Sequence, residues 1–470
     1  MRLITDSLRL SASDLANHLG CRHLTYLDLC AAKKEIEAPN YKDPALEALQ
    51  QRGFEHELGY IEHLRSQGLS TTELPELGSE KDNHDQTIHA LKEGSDVIVQ
   101  ATLLGDGWLG RADVLLRVEV PSELGDFSYE IADTKLARET KGRTMLQLCL
   151  YSDLLREIQG VLPEHMYVVP PGQDYMPEVF RVDDFMAYYR VVRDRLLATV
   201  RDGMWQGGET YPDKCEQCDI CRWWKVCDDK RHEDDHLCLV AGISKMQISE
   251  LQEREIGTLM SLAQAPMPLD PAPERGAPET YHRVHHQARV QLEGRAKGAP
   301  VHELLPLEEG FGLHCLPEPT PHDIFFDFEG ARFVGAEGLE YLFGYVSLND
   351  ASEPEYHALW ALTPEEEKAT FEQFINEAMA RWKADDGFHI YHYAAYEPSA
   401  VKRLMGRYAT REDEVDRLLR GERFVDLYAV VKHAVRASVE SYSIKNLEPF
   451  FGFTRQVDLR DASHHLRALE

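Results

Sequence analysis

The stretch "EIADTKLARETKGRTMLQLCLY", Glu130 to Tyr151, decides how the first half of the chain is read. Its opening apolar run has the character of a strand. Strand alternation turns residues i and i+2 to one face, so Asp133 and Lys135 point the same way. Residues 139–158 then carry helical spacing, with Gln147 and Tyr151 at i and i+4 on one side. Alone, D-x-K on a strand is more often a solvated edge than a site, but its surroundings raise its standing. Upstream, "DVIVQATLLGDGWLGRADVLLRVE" (96–119) reads as two strands joined by a Gly/Asp turn, with Asp113 at the end of the second. Carboxylates on neighbouring strands, Asp113 and Asp133, can hold a divalent cation between them. A lysine beside them, Lys135, can orient or help deprotonate a metal-bound water and offset charge in a phosphorane-like transition state. His56, in "RGFEHELGYIEHL" (52–64) on an amphipathic helix expected around 45–67, is a further candidate ligand.

In that order, His56, Asp113, Asp133-x-Lys135 and Gln147-xxx-Tyr151 resemble the motif series of the PD-(D/E)XK nuclease superfamily. The nearest branch is the RecB-like one, which includes AddB-type and CRISPR-associated exonucleases, and the resemblance covers roughly residues 8–235. It implies a restriction-endonuclease-like domain with Mg²⁺ or Mn²⁺ at His56, Asp113 and Asp133. It also implies Lys135 as the catalytic lysine and Gln147 and Tyr151 lining the DNA path. One departure is that Asp113 follows Ala112 rather than a proline.

A second cluster is "CEQCDICRWWKVC", Cys215 to Cys227. Nine cysteines, an odd number with four of them in thirteen residues, read as metal binding before disulfide in a large intracellular chain. Some RecB-like nucleases carry a [4Fe–4S] cluster on one upstream cysteine and a C-x₂-C-x₅-C run. That resemblance implies Cys21, Cys218, Cys221 and Cys227 as ligands, with Cys215 a spare or a substitute and Cys30 a weaker upstream candidate. Zn²⁺ on Cys215, Cys218, Cys221 and Cys227 alone stays open, although thirteen residues leave little room for a tetrahedral wrap. Trp223 and Trp224 are expected to cover the cluster rather than stack on a base.

The expected layout is α/β throughout: a RecB-like domain over 1–240, a segment at 241–265 suggestive of a helix-hairpin-helix, a Pro-rich linker over 266–320 and a last domain over 321–470. The last domain opens on "FFDFEG" (325–330), which puts Asp327 and Glu329 on one strand face, a pairing suited to two-metal phosphodiester chemistry. Over 321–470 the chain resembles a ribonuclease H-like fold of the DEDD exonuclease type. Asp327 and Glu329 match its first motif, Glu397 stands where a second-motif aspartate is expected, and Asp426 is a further acidic candidate. The family's final helix has no match: Asp458, Asp461, His464 and His465 lie near the end in a different setting. This domain is therefore expected to lack its last motif and to be catalytically incomplete, unless the chain is a fragment. The domain order resembles the front half of bacterial RecB-like nuclease–helicases, which implies a helicase partner.

The formal charge of −30 argues against a polyanion binder that works by bulk charge. It does not exclude a nuclease, which gathers carboxylates around metals. There is no GxxxxGK[ST] loop, no apolar run long enough for a membrane span and no signal-peptide layout at the start, so a cytoplasmic chain is expected. The reading is a metal-dependent DNA nuclease, an exonuclease on single-stranded DNA or frayed duplex ends, in DNA repair, recombination or phage defence. The alternative is a noncatalytic DNA-end-binding adaptor subunit for a helicase.

Overall fold

The structure, a computed structural model, describes all residues except 5–6, 41–43, 77, 138, 173, 202, 332–333, 335–336 and 454–470. It divides into two units, Met1–Lys230 and Arg231–Glu470. The first begins with β1 (Arg2–Ile4), β2 (Ser7–Ser11), α1 (Ala12–Gly20), α2 (Arg22–Ala32) and α3 (Pro44–Ser66). The two helices are separated by Cys21, whose extended backbone ends α1 and whose sulfur caps α2 by accepting from Leu24 N. Next come β3 (Thr71–Glu73), α4 (Glu80–Glu93), β4 (Val97–Gly105), β5 (Trp108–Val118) and β6 (Ser128–Thr134). The unit continues with α5 (Gly142–Gln159), β7 (His165–Val169), β8 (Glu178–Arg181) and α6 (Asp183–Thr199). That helix stops at Thr199, and the short pair β9 (Val200–Arg201) and β10 (Met204–Trp205) follows.

Eight of these strands form one sheet, in the order β1-β2-β5-β6-β7-β8, with β4 pairing both β3 and β5. The β4–β5 hairpin closes through Asp106 and Gly107, both left-handed (φ 44° and 83°), as a two-residue turn matched to strand twist requires. β6 and β7 run parallel, connected through α5. Leu146, Leu150 and Leu154 of α5 join Ala101, Leu103 and Ala112 in the larger core. On the sheet's other face Tyr60, Ile61 and Leu64 of α3 pack on Val97, Val99 and Val114.

Those two clusters expose a break in the pleat. Val99 and Ala101 lie two apart on β4 yet face opposite sides, and so do Ala112 and Val114 on β5. The inversion falls on one rung: Val99 pairs Val114 and Ala101 pairs Ala112, leaving Gln100, with φ +60°, across from Asp113. Asp113 therefore sits inside β5, not at its end as expected from sequence. A local distortion of this kind re-aims a side chain that regular alternation would send elsewhere.

α7 (Trp224–Glu233) contains the boundary between the units. The second unit continues with α8 (Lys245–Gln252), α9 (Leu259–Gln264) and α10 (Pro278–Lys297). The linker expectation is corrected here, because residues 278–297 are a twenty-residue helix. It starts on a proline, ends at a left-handed Gly298 and buries Tyr281, Val284 and Ala288 against Leu251, Leu259 and Leu262. The flanking prolines and the histidine-rich surface concealed that sparse apolar stripe. One of those histidines has a carboxylate partner: His286 Nε2 lies 2.7 Å from Glu303 Oε2.

β11 (His302–Leu304) precedes β12 (Ile324–Ala331), β13 (Leu339–Leu348), β14 (Pro354–Trp360), α11 (Pro364–Ala384), β15 (Ile390–His392), α12 (Tyr396–Tyr408) and α13 (Glu412–Arg420). Then come β16 (Phe424–Asp426), α14 (Leu427–Ala434), β17 (Val435–Ala437), which pairs β11, and α15 (Ile444–Leu447). The main sheet has the order β14-β13-β12-β15-β16, antiparallel on one side of β12 and parallel on the other. Phe326 and Phe328 of β12 are buried with Phe343, Phe371 and Phe374, while Phe325, Asp327 and Glu329 alternate onto the open face.

Candidate active site

In the first unit the fold gathers the expected residues at the end of β6. Asp133 is 1% exposed, receives a hydrogen bond from Gln147 Nε2 at Oδ1 (3.1 Å) and ion-pairs through Oδ2 with Lys135 Nζ at 2.5 Å. Gln147 Nε2 also reaches Tyr151 Oη at 3.3 Å, so the i, i+4 pair acts as one unit. Asp113 Oδ2 accepts from the Thr134 amide at 3.4 Å. Burial, and then the charge of Asp133, holds the Asp113 carboxyl well above the usual carboxylate range. His56 Nε2 donates to Val169 O at 3.1 Å, and the same carbonyl accepts the Lys135 amide. The imidazole also stacks on Tyr175, with ring centroids 5.6 Å apart. Gly110 is needed for closeness: a Cβ there would stand 2.8 Å from Tyr151 Cδ1.

Two participants were missed from sequence. Glu57, next to His56, accepts a hydrogen bond from Gln100. Burial, and then the charge of Asp133, pushes its carboxyl up, against the opposing bond from Gln100. Its adjacency to His56 was the only available signal; nothing in the sequence marked Gln100.

The cysteines converge from both ends of the first unit. Cys215 Sγ lies 3.8 Å from Cys218 Sγ, and both Cys215 and Cys221 feel the charge of Cys21. Cys215 is pushed up to about 11, first by burial. Cys21, Cys221 and Cys227 pack around Leu24, Leu27 and Trp223. Trp223 is buried and donates from Nε1 to Asp28 Oδ1 at 2.8 Å, which removes it from base stacking.

In the second unit Asp327 and Glu397 meet. Burial comes first, then the hydrogen bond and charge of Glu397, then the charge of Glu329, and together they push the Asp327 carboxyl up to about 7. Glu397 is 3% exposed, and its Oε2 has no hydrogen-bond partner among the described residues. The nearest base, His392 Nδ1 at 3.4 Å, is engaged with Ala394 O at 2.6 Å. Asp426 stands at a strand-to-helix junction. It ends β16, and its Oδ1 accepts from the amides of Ala394 and Tyr428, both at 2.9 Å. It thus holds a turn and caps α14. Asp458, Asp461, His464 and His465 lie outside the described residues.

Among the described residues no group of three or more His, Cys, Asp or Glu side chains is arranged as a metal cage. The donor chemistry nevertheless fits hard divalent cations at both carboxylate pairs, since each holds a buried acid against another acid. A measurable consequence follows for the Asp327 pair. An acid whose folded pKa lies near 7, above its ordinary 3.8, binds protons better when folded. It therefore costs stability increasingly as pH rises through that window, in full above about 7. A cation relieves this cost only where the pair is ionised. Mg²⁺ is expected to raise Tm more at about pH 8 than at about pH 5, with the excess reduced in Asp327→Asn. Equal shifts at both pH values in the wild type would contradict the placement.

Residues 324–466 match the RNase_H_2 family of the RNase H superfamily. No curated protein matches the chain. The superfamily match points to a nuclease-type phosphodiester hydrolase and hence to a nucleic-acid substrate. No helix among the described residues is long and apolar enough to cross a membrane.

Proposed function

We propose that the chain is a metal-dependent DNA nuclease of the RecB-like PD-(D/E)XK type, with exonuclease character on single-stranded or frayed ends, joined to a ribonuclease H-like unit. The observation that carries this is the meeting of Asp113, Asp133, Lys135, Gln147 and Tyr151, from two successive strands, the residues that follow the second and the next helix, around one buried acid pair. His56, Asp113 and Asp133 would hold Mg²⁺ or Mn²⁺, which supplies Lewis-acid activation of water and phosphate when bound. Gln147 fixes the Asp133 carboxylate. The Lys135 ammonium, anchored through its own backbone on Val169, stands where it can offset charge growing on the phosphate oxygens.

The thiols of Cys21, Cys218, Cys221 and Cys227, with Cys215 within reach of Cys218, fit a [4Fe–4S] cluster that would tie α2 to the end of the unit; Zn²⁺ is the alternative. Iron, sulfide and zinc quantified per chain after anaerobic purification separate the two. In the second unit Asp327, Glu329 and Glu397 would form the corresponding metal site.

The test uses end-labelled single-stranded and blunt duplex DNA with Mg²⁺, Mn²⁺ or EDTA. Metal-dependent shortening from an end, lost in Asp133→Asn, supports the reading. DNA-end binding without cleavage in any metal selects the adaptor role beside a helicase.

A further inference from the structure

The chain has a formal charge of −30, yet one strip of the second unit holds cations that no acid neutralises among the described residues. β11 and β17 pair with Glu303 across from Arg436. α10 is fixed to this ribbon by Gln287 Nε2, which donates to Ala437 O at 2.8 Å. Glu303 is already engaged: His286 Nε2 lies 2.7 Å from its Oε2 and Arg289 Nη2 lies 2.6 Å from its Oε1. Half-buried Arg436 is left to backbone partners. Its Nη1 donates to the carbonyls of Lys432 and Val435, both at 3.2 Å, and its Nε has no hydrogen-bond partner among the described residues. Burial first, with Arg283 acting in the same direction, holds its pKa below the ordinary value against the opposing effect of Tyr442. Arg283 and Lys432 are exposed, and neither forms an ion pair among the described residues.

The strip is continuous with the Asp327–Glu397 site through α14. Lys432 Nζ stands 5.7 Å from the centre of the Tyr428 ring, and Tyr428 meets Tyr393 edge-on with centroids 5.7 Å apart. The Tyr428 amide donates to Asp426 Oδ1. Tyr393 follows His392, whose Nδ1 lies 3.4 Å from Glu397 Oε2. A single small anion needs one pocket. Cations spaced along a helix and a ribbon suit a repeating anion, and phosphate oxygens are strong acceptors for a guanidinium.

We infer that Arg283, Lys432 and Arg436 form a phosphate-contacting strip for the backbone of a nucleic-acid strand that leads to the Asp327–Glu397 site. This rests on the nuclease reading of the second unit.

The experiment titrates single-stranded oligothymidylate into full-length Asp327→Asn protein in EDTA, so that no metal-dependent cleavage occurs and the acid pair repels the strand less. Lysine acetylation and arginine modification by hydroxyphenylglyoxal are read residue by residue by mass spectrometry, which separates this strip from any binding at the first unit. Lys432 and Arg283 should be protected at saturation, while Arg420, 80% exposed on α13, keeps its reactivity. The binding constant read at Lys432 should fall with NaCl with a log–log slope of about −2, or about −0.7 for each of the three contacts. Arg436→Gln should weaken that constant and make the slope shallower by about 0.7. Should Arg436→Gln fail to fold by circular dichroism, Arg283→Gln at the exposed position decides by the same criterion. Oligonucleotide bound by fluorescence anisotropy, with Lys432 and Arg283 unprotected, overturns the inference and leaves the nuclease reading standing. Protection that is indifferent to salt, or a slope unchanged in the folded variant, overturns the phosphate contact. No binding at any salt concentration removes the nucleic-acid reading of the unit and the inference with it.

Discussion

Truncating Lys135 to Ala is expected to lower metal-dependent cleavage by ~10²–10³-fold, the range seen when one preorganised transition-state donor is removed. The ammonium lies 2.5 Å from Asp133 Oδ2 and is about one-third exposed, while the carboxylate is buried. It can therefore contact both the site and an incoming phosphate. The fold should survive, because the strand contact of Lys135 is made by its backbone amide to Val169 O, and Asp133 keeps its bond from Gln147. The check is single-turnover cleavage of end-labelled DNA in an Asp327→Asn background, paired with a thermal melt. A wild-type rate in a folded Lys135→Ala protein would remove the catalytic role assigned to this residue. A lost rate with a melt shifted by many degrees would make the ion pair structural instead.

The second large effect is on stability. Trp223→Ala should destabilise the first unit by about 3–5 kcal/mol, the ordinary cost of deleting a buried indole. The ring is 2% exposed and fills the space between Leu24 and Leu27 of α2 and the cysteine run. Its Nε1 bond to Asp28 Oδ1 adds to the loss, because Asp28 is itself buried and would keep only its ion pair with Arg222. Trp223→Phe restores most of the packing without that bond, so about 1.5–3 kcal/mol should separate it from the wild type. Urea titrations of the three proteins read both numbers. A near-neutral Trp223→Ala would return this side chain to the surface and to base stacking.

Much of the local organisation was legible because it depends on nearest neighbours. The Asp106-Gly107 turn, the apolar runs of β4 to β7 and the i, i+4 pairing of Gln147 with Tyr151 are each set within a few residues. The alternation that puts Asp327 and Glu329 on the open face of β12 is equally local. The helix at 278–297 was not legible, since its apolar positions are few and its partners Leu251, Leu259 and Leu262 are remote in sequence. Asp426 was ambiguous for a related reason. A strand-ending, helix-starting aspartate looks the same in sequence whether its oxygens serve a cap or a metal, and here Oδ1 serves Tyr428 and Ala394.

By itself the sequence determined the chemical inventory and its short-range phasing: which acids, thiols and lysine exist, and which share a strand or helix face. Only the tertiary structure decided their aim. Asp113 faces as it does because the pleat inverts at its rung with Gln100, a backbone event that no periodicity in either strand encodes. Glu57 met Gln100, and Cys21 met the cysteine run nearly two hundred residues away, through long-range packing. Burial then set the electrostatics. Carboxylates that would ionise freely in water are held against one another and partly desolvated, which disfavours their charged forms.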